Sequence, residues 1–469
     1  MPDTIENDLV IIGAGPGGYA AAFHAADKGM KVLLIDGRER PGGTCLHIGC
    51  IPSKALLHVA KLITDVRDAK TLGLDFGTSK IDIAGVRNYW FKVVDGLSKN
   101  LAAMAKQRKA EFISARAAFE DSHTLRLSDG SRRRFKNCII ATGSVPTRIP
   151  ALDVKSPRLM DSEAALRLEE LPASLLVVGG GYIGLELGYV YAALGSKVTV
   201  VELTGNLLPG VDPDLVRPLQ HRLKGLFDKI YLNTKVVKLA ETPKGIQAVL
   251  EGEKVEEKQP VFDRVLVSVG RRPNTAELGL EKTKVKLDPK GFIQIDSQRR
   301  TADPHIFAIG DVAGEPMLAH KATYEGKIAV EAIAGEPAQF DSRAVPAVVF
   351  TDPEIAWAGL TETEAERQNR EVKISIFPWA ASGRAATLGR TEGRTKLIVD
   401  PETERVLGVG IVGEGAGELI AEGVLAIEMA ATARDLELSI HPHPTLSETV
   451  MESAEAVHGN STHLFKLKR

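Results

Sequence analysis

Two cysteines five residues apart are the first candidates for chemistry. Cys45 and Cys50 lie in GGTCLHIGCIPSK, residues 42–54, an apolar and glycine-rich stretch. With three cysteines in 469 residues, the chain has no disulfide scaffold. Three readings of the pair stand side by side: a redox-active dithiol, zinc ligation, and two unrelated buried thiols. Zinc takes four ligands, and although His47 and His58 are near, there is no second cysteine pair. A redox pair makes its own demand, because residues five apart on an ideal α-helix stand roughly 8.7 Å apart at Cα, beyond the ~7 Å a disulfide spans. The helix must be distorted if the two bond, and Gly49 and Pro52 supply the means.

Two glycine signatures are the next candidates. Gly13, Gly15 and Gly18 follow one apolar run, and Asp36 ends the next. Gly179, Gly181 and Gly184 repeat the pattern, with Glu202 at the corresponding place. Such glycines permit a tight turn and let a pyrophosphate approach the backbone at a helix N-terminus, while the acid accepts hydrogen bonds from ribose hydroxyls. No Arg or Lys follows Glu202 closely, and a carboxylate there repels a 2′-phosphate, so the second site favours NAD over NADP.

These groups need elements to position them. Residues 9–12, 16–28 and 31–35 read as strand, helix, strand, and residues 174–178, the helical stretch ending at Gly195, and 197–201 repeat the order. Two βαβ units predict two nucleotide-binding domains. Residues 138–141 running into Thr142-Gly143, and 265–269 running into Gly270, read as the closing strands of each. A further strand, 305–309, ends at Gly310-Asp311 and feeds a helix near Leu318. From about Arg343 the runs 345–350, 372–377, 394–399 and 406–412 read as strands, followed by helices over 418–430 and 446–456, an α+β ending. The predicted fold is α/β, with two Rossmann-like domains and an α+β C-terminal domain. Its divisions are 1–148, 149–272, 273–342 and 343–469.

Composition narrows the classes. Charged residues make up 26% and apolar residues 44%, a globular mixture, and 59 basic against 61 acidic side chains leave a net charge of −2. No overall field steers the chain toward nucleic acid or anionic lipid. The opening MPDTIEND lacks the pattern of a secretory signal, and Gly, Pro and charges interrupt every apolar run, so neither export nor a membrane span is expected.

GGTCLHIGCIPSK resembles the redox segment of the pyridine nucleotide–disulfide oxidoreductases. The first glycine turn, GGGYIGLELG, VGRRPN, IFAIGD, FPWAASGRA and HPHPTLSE (441–448) follow in that family's order. His47 stands where the family more often has Asn. The resemblance implies that Cys45 meets substrate and Cys50 lies against a flavin, with Lys54 near flavin N5 and paired with Glu186. It implies FAD contacts at Gly13, Gly15, Gly18, Asp36, Thr44, Lys54, Ala117, Gly143, Thr301, Gly310, Asp311, Met317 and Ala319. For NAD it implies Gly179, Gly181, Gly184, Glu186, Glu202, Val236 and Gly270. The implied activity is NAD-linked oxidation of protein-bound dihydrolipoyl groups in the cytoplasm. Implied partners are a second copy of the chain, as a homodimer, and the lipoyl domains and acyltransferase core of a 2-oxoacid dehydrogenase complex, with the glycine cleavage system as the other setting the resemblance allows. A glutathione-type disulfide reductase and a mainly structural complex component are the alternatives.

The resemblance also makes His443, oriented by Glu448, the proton acceptor. A free thiol with pKa near ~8.5 is mostly protonated at neutral pH, so exchange needs a base. Histidine suits, and a carboxylate on its other ring nitrogen fixes the tautomer. Against this, Thr445 to Glu448 fits a helix capping box, which uses Glu448 for backbone donors. The two roles are compatible.

Overall fold

A computed structural model describes residues 5–77 and 79–464. Strand Ile5–Ile12 leads through a glycine turn into helix Pro16–Asp27 and strand Val32–Asp36. The two strands pair in parallel, Leu9 opposite Val32 and Ile12 opposite Ile35. Leu9 to Ile12 and Val32 to Ile35 are buried on both faces, as a parallel strand covered by helices must be. Arg132–Ile140 lies on the other side of Ile5–Ile12, and Ile306–Ala308 pairs in parallel with its end, Ile306 opposite Cys138. The segment after residue 273 therefore returns to the first sheet and completes it.

The second unit repeats the design. Its sheet runs Lys229–Tyr231, Lys197–Val201, Ser174–Val178, Arg264–Val267, Leu159–Met160, with the strands parallel. Helix Tyr182–Leu194 is buried almost all round, consistent with its position between this sheet and helix Cys50–Asp68. Thr64 Oγ1 and Tyr189 Oη lie 2.8 Å apart across that helix contact, and Arg67 donates to the Ala193 carbonyl at 2.9 Å. The C-terminal part is a five-stranded antiparallel sheet, Ala347–Val349, Glu354–Gly359, Val406–Gly413, Arg394–Val399, Lys373–Pro378, with helices Ala416–Glu428 and Glu448–Val457 packed on it.

Sequence reasoning misses helices Ile83–Gln107 and Pro213–Lys224 and several strands, three groups of which are instructive. One is the antiparallel strands Ala117–Asp121 and Thr124–Leu127, and another is the meander Lys235–Thr242, Gly245–Glu251, Val261–Phe262. Both are half-exposed hairpins whose charged outward residues dilute the apolar signal. Strand Glu354–Gly359, EIAWAG, holds one β-branched residue and is recruited by its neighbours. The helical run Gly43–Leu72 is long and apolar enough to cross a membrane by length and composition alone, with mean hydropathy 1.2. In the fold it is broken at Gly49 and packs against the Tyr182–Leu194 helix.

Candidate active site

The cysteine segment folds as two helices. Gly43–Ile48 ends at Gly49, whose φ of −145° and ψ of −112° interrupt the helix, and Cys50–Asp68 starts at once. Pro52 falls in the first turn of the second helix, where its missing N–H is no loss. The kink is thus glycine's work, and it brings the two sulfurs together as free thiols close enough to share a hydrogen bond. That shared proton raises the Cys45 thiol and lowers Cys50, which the Lys54 ammonium lowers further against the opposing charge of Glu186. Lys54 Nζ stands 2.9 Å from Glu186 Oε2, and the carboxylate is nearly fully buried. His47 Nε2 lies 3.1 Å from the Pro41 carbonyl, turned back along the loop that precedes the first helix.

The first glycine turn lies directly behind this pair. Gly13 has φ +103°, and a Cβ there would lie 2.2 Å from the Ala141 carbonyl oxygen. Gly43 has φ +59°, and a Cβ on it would lie 2.5 Å from the Gly15 Cα, so the redox helix begins in backbone contact with the turn. Asp36 Oδ2 accepts the Ala14 N–H at 2.7 Å and Oδ1 that of Arg38 at 2.9 Å. The second turn matches: Gly179 has φ +105°, and Glu202 accepts from Gly180 and Thr204 N–H, both at 2.7 Å. Glu202 is buried. Each acid therefore braces its own glycine turn.

A cavity of about 960 Å³ runs from Asp36 past the glycine turn to Cys45, Cys50, Lys54 and Glu186. Gly13, Gly15, Thr44, Ala117 and Gly143 line it, as do Gly310, Asp311, Met317 and Ala319. Gly18 stands behind the turn, a Cβ there falling 1.8 Å from the Gly13 oxygen. Thr301 is away from the cavity and closes its own turn, its N–H donating to the Ile306 carbonyl. Gly179, Gly181, Gly184, Glu202 and Gly270 are likewise outside this cavity, at the second sheet. Val236 packs in the core between that sheet and its meander. Arg271, Ser144 and Tyr182 also line the cavity, unforeseen. Arg271 donates to Ser144 Oγ at 2.7 Å and Ser144 in turn to Asp311 Oδ2 at 2.5 Å. VGRRPN and the Gly-Gly-Gly-Tyr run carried the signal for Arg271 and Tyr182.

His443 lies elsewhere. Its side chain is 73% exposed and lines no part of the cavity. Nδ1 is 2.8 Å from Glu448 Oε1, while Oε2 accepts the Thr445 N–H at 2.8 Å. The expected capping box is not formed, since the helix begins at Glu448 with Ser447 before it and no side-chain cap; Glu448 instead contacts His443 with one oxygen and ties the Thr445 N–H with the other. Although burial works against its charge, these two contacts hold the carboxyl below its ordinary range.

Residues 7–326 match the family model described as pyridine nucleotide-disulphide oxidoreductase, and residues 345–454 match the dimerisation domain of that family. The dihydrolipoyl dehydrogenase of Vibrio cholerae serotype O1 is 44% identical over 468 residues, covering 99% of this chain and 98% of its own. That of Geobacillus stearothermophilus is 43% identical over 463 residues, 98% of each. The crystal structure of LpdA from Mycobacterium tuberculosis superposes with a TM-score of 0.88 at 27% identity, covering 96% of this chain and 99% of that one. With its adjacent cysteines, paired glycine turns and full-length likeness, the chain belongs to the pyridine nucleotide-disulphide oxidoreductase family.

Proposed function

We propose that the chain is a dihydrolipoyl dehydrogenase, oxidising protein-bound dihydrolipoyl groups through Cys45 and Cys50 and reducing NAD. The observation that carries this is the convergence of the thiol pair, the Lys54–Glu186 ion pair and the first glycine turn on one elongated cavity.

FAD fits that cavity. The helix starting at Pro16 has Gly15 as its N-cap with no side-chain partner, so its first N–H groups face the cavity and suit a pyrophosphate. A Cβ on Gly15 would meet nothing closer than 4.0 Å, which leaves room for a ligand to approach the backbone. Gly13, Gly15, Asp36, Thr44, Lys54, Ala117, Gly143, Gly310, Asp311, Met317 and Ala319 would hold it, with Gly18 closing the turn behind. Gly179, Gly181, Gly184, Glu202 and Gly270 would hold NAD. FAD supplies, when bound, a two-electron relay between the dithiol and NAD. On this reading residues 1–148, closed by 273–342, form the flavin part, 149–272 the NAD part, and 343–469 the interface of a homodimer.

The protein's own groups perform the exchange. One substrate thiolate attacks Cys45 Sγ, breaking the Cys45–Cys50 bond and releasing Cys50 as a thiolate beside Lys54. The second substrate thiolate then attacks the substrate sulfur of the mixed disulfide, displacing Cys45 and closing the lipoyl ring. Of the two protons the substrate thiols give up, the partner subunit's His443 accepts one, its tautomer fixed by Glu448, and the displaced Cys45 sulfur takes the other. Leu425, Met429, Leu438 and Ile440 of the same C-terminal part are exposed and suit a buried two-fold interface. In the cytoplasm, lipoyl domains on the acyltransferase core of a 2-oxoacid dehydrogenase complex would deliver the substrate.

Anaerobic titration with dihydrolipoamide tests the reading. The purified protein is expected to be yellow, its visible absorbance to change stoichiometrically with dihydrolipoamide, and added NAD to be reduced at least about tenfold faster than NADP. A colourless folded protein, or one that responds to glutathione and not to dihydrolipoamide, overturns it.

A further inference from the structure

Between strands Ala347–Val349 and Glu354–Gly359 the chain turns through residues 350–353. This turn, from the C-terminal part, is wedged into the middle of the molecule. The Phe350 N–H donates to Glu186 Oε1 at 2.9 Å, while Lys54 Nζ donates to the other oxygen of the same carboxylate at 2.9 Å. That ammonium also stands over the Phe350 ring, 4.5 Å from its centroid. Two residues on, the buried Asp352 carboxylate is held between Arg222, at 3.0 Å, and Arg390. Segments near residues 54, 186 and 350 thus meet at one carboxylate.

A lysine ammonium on a four-carbon stem has many rotamers, and one ion pair fixes its distance better than its direction. The ring supplies the direction, because its negative face attracts the cation from a second side. The backbone N–H does the same for Glu186 by occupying one oxygen and leaving the other for Lys54. Lys54 is one helical turn from Cys50, on the same face. Its charge and that of Glu186 act on the Cys50 sulfur with opposite signs, so their relative placement decides the net effect. We infer that Phe350 is a positioning residue of the redox centre, its ring and N–H holding the Lys54 ammonium beside Cys50. The inference rests on Cys50 being a member of the redox pair.

The test is the dithiol–disulfide equilibrium of the holoenzyme in mixtures of reduced and oxidised dithiothreitol, with thiols acid-trapped and counted by mass. A cation beside Cys50 stabilises the reduced pair through its thiolate. Phe350→Leu keeps the N–H and removes the ring, and is expected to shift the equilibrium toward the disulfide by about threefold to tenfold at pH 7. The shift should fade as pH falls until Cys50 is protonated in both proteins, a dependence that simple loosening would not produce. Besides Lys54 and Glu186, the titratable groups acting on Cys50 are Cys45, Tyr19 and Tyr182, and none is altered. Phe350→Tyr should behave as wild type, and in a Lys54→Met background Phe350→Leu should have no effect. An unshifted Phe350→Leu equilibrium, a shift equal in Phe350→Tyr, or one that survives Lys54→Met overturns the inference. If Phe350→Leu does not fold, Phe350→Met is read in its place. If neither folds while Phe350→Tyr does, the ring serves packing and the inference fails. Lipoamide turnover of the wild type reports separately on the proposed function, since the dithiothreitol equilibrium needs no lipoyl substrate.

Discussion

Equal amounts of the inactive variants Cys45→Ser and His443→Gln, unfolded together and refolded, are expected to recover about a quarter of wild-type lipoamide-dependent NADH oxidation. His443 is largely exposed and lines no part of the cavity that holds Cys45 within its own chain. If each site draws Cys45 from one chain and His443 from the other, a heterodimer of the two variants has one site with both lesions and one with neither. Random pairing makes about half of the dimers heterodimers, each with one working site of two, hence about a quarter. The controls are far lower. A thiol with pKa near ~8.5 is only about 3% thiolate at pH 7, so a site without its base is slowed at least about thirtyfold, and one without Cys45 has no sulfur to attack the lipoamide disulfide. The assay follows NADH consumption with lipoamide after co-refolding, beside each variant refolded alone, with heterodimers confirmed by differently tagged chains. Confirmed heterodimers with no gain over the controls would refute the shared site.

Cys50→Ser should retain flavin yet lose at least about a thousandfold in lipoamide turnover, because one sulfur cannot store an electron pair as a disulfide; near-normal turnover would rule out the shuttle. Lys396 is fully buried among Asp212 (2.7 Å), Asp214 (2.7 Å) and Glu362 (3.0 Å), joining the second nucleotide-binding unit to the C-terminal sheet. Lys396→Met leaves these carboxylates facing one another and should cost about 3–5 kcal/mol in denaturant unfolding, with a cost under about 1 kcal/mol counting against the lock. Burial would raise the Asp352 carboxyl, but Arg390 and Arg222 outweigh it and hold it below its ordinary 3.8. Its contribution is therefore complete above that value and lost as pH falls from 3.8 toward the depressed native value. Acid unfolding of Asp352→Asn should lack this part of the wild-type pH dependence, and parallel acid curves would contradict the assignment.

Much of the site is legible in local sequence because its constraints are local. A disulfide between residues five apart demands a broken helix, and Gly49 breaks it. A backbone that approaches the Ala141 carbonyl as Gly13 does admits no side chain, so the turn must be written as glycine. Asp36 and Glu202 sit at the predicted strand ends, though each also serves to brace its turn through backbone N–H groups. What stays hidden is set by long-range packing. Nothing near Phe350 in sequence hints that its N–H will meet Glu186, 164 residues away. The Arg271–Ser144–Asp311 chain likewise joins three distant segments. Thr301 closes a turn and Val236 packs between the second sheet and its meander, places set by the same long-range packing.

The C-terminal part bears on the redox pair by two routes with different physical bases. Within the chain, the turn at residues 350–352 reaches Lys54 and Glu186 and is fixed by Asp352 between two arginines. This contact needs no second subunit. His443 cannot act in the same way, since its ring is exposed, lines no part of the cavity of its own chain and, among the described residues, is held by Glu448. On the proposed reading, one route would set the electrostatics of Cys50, and the other would supply a proton acceptor to Cys45. With that function, the first is internal and the second depends on association, so folding of a single chain would prepare the dithiol while only the dimer would complete the site that exchanges it.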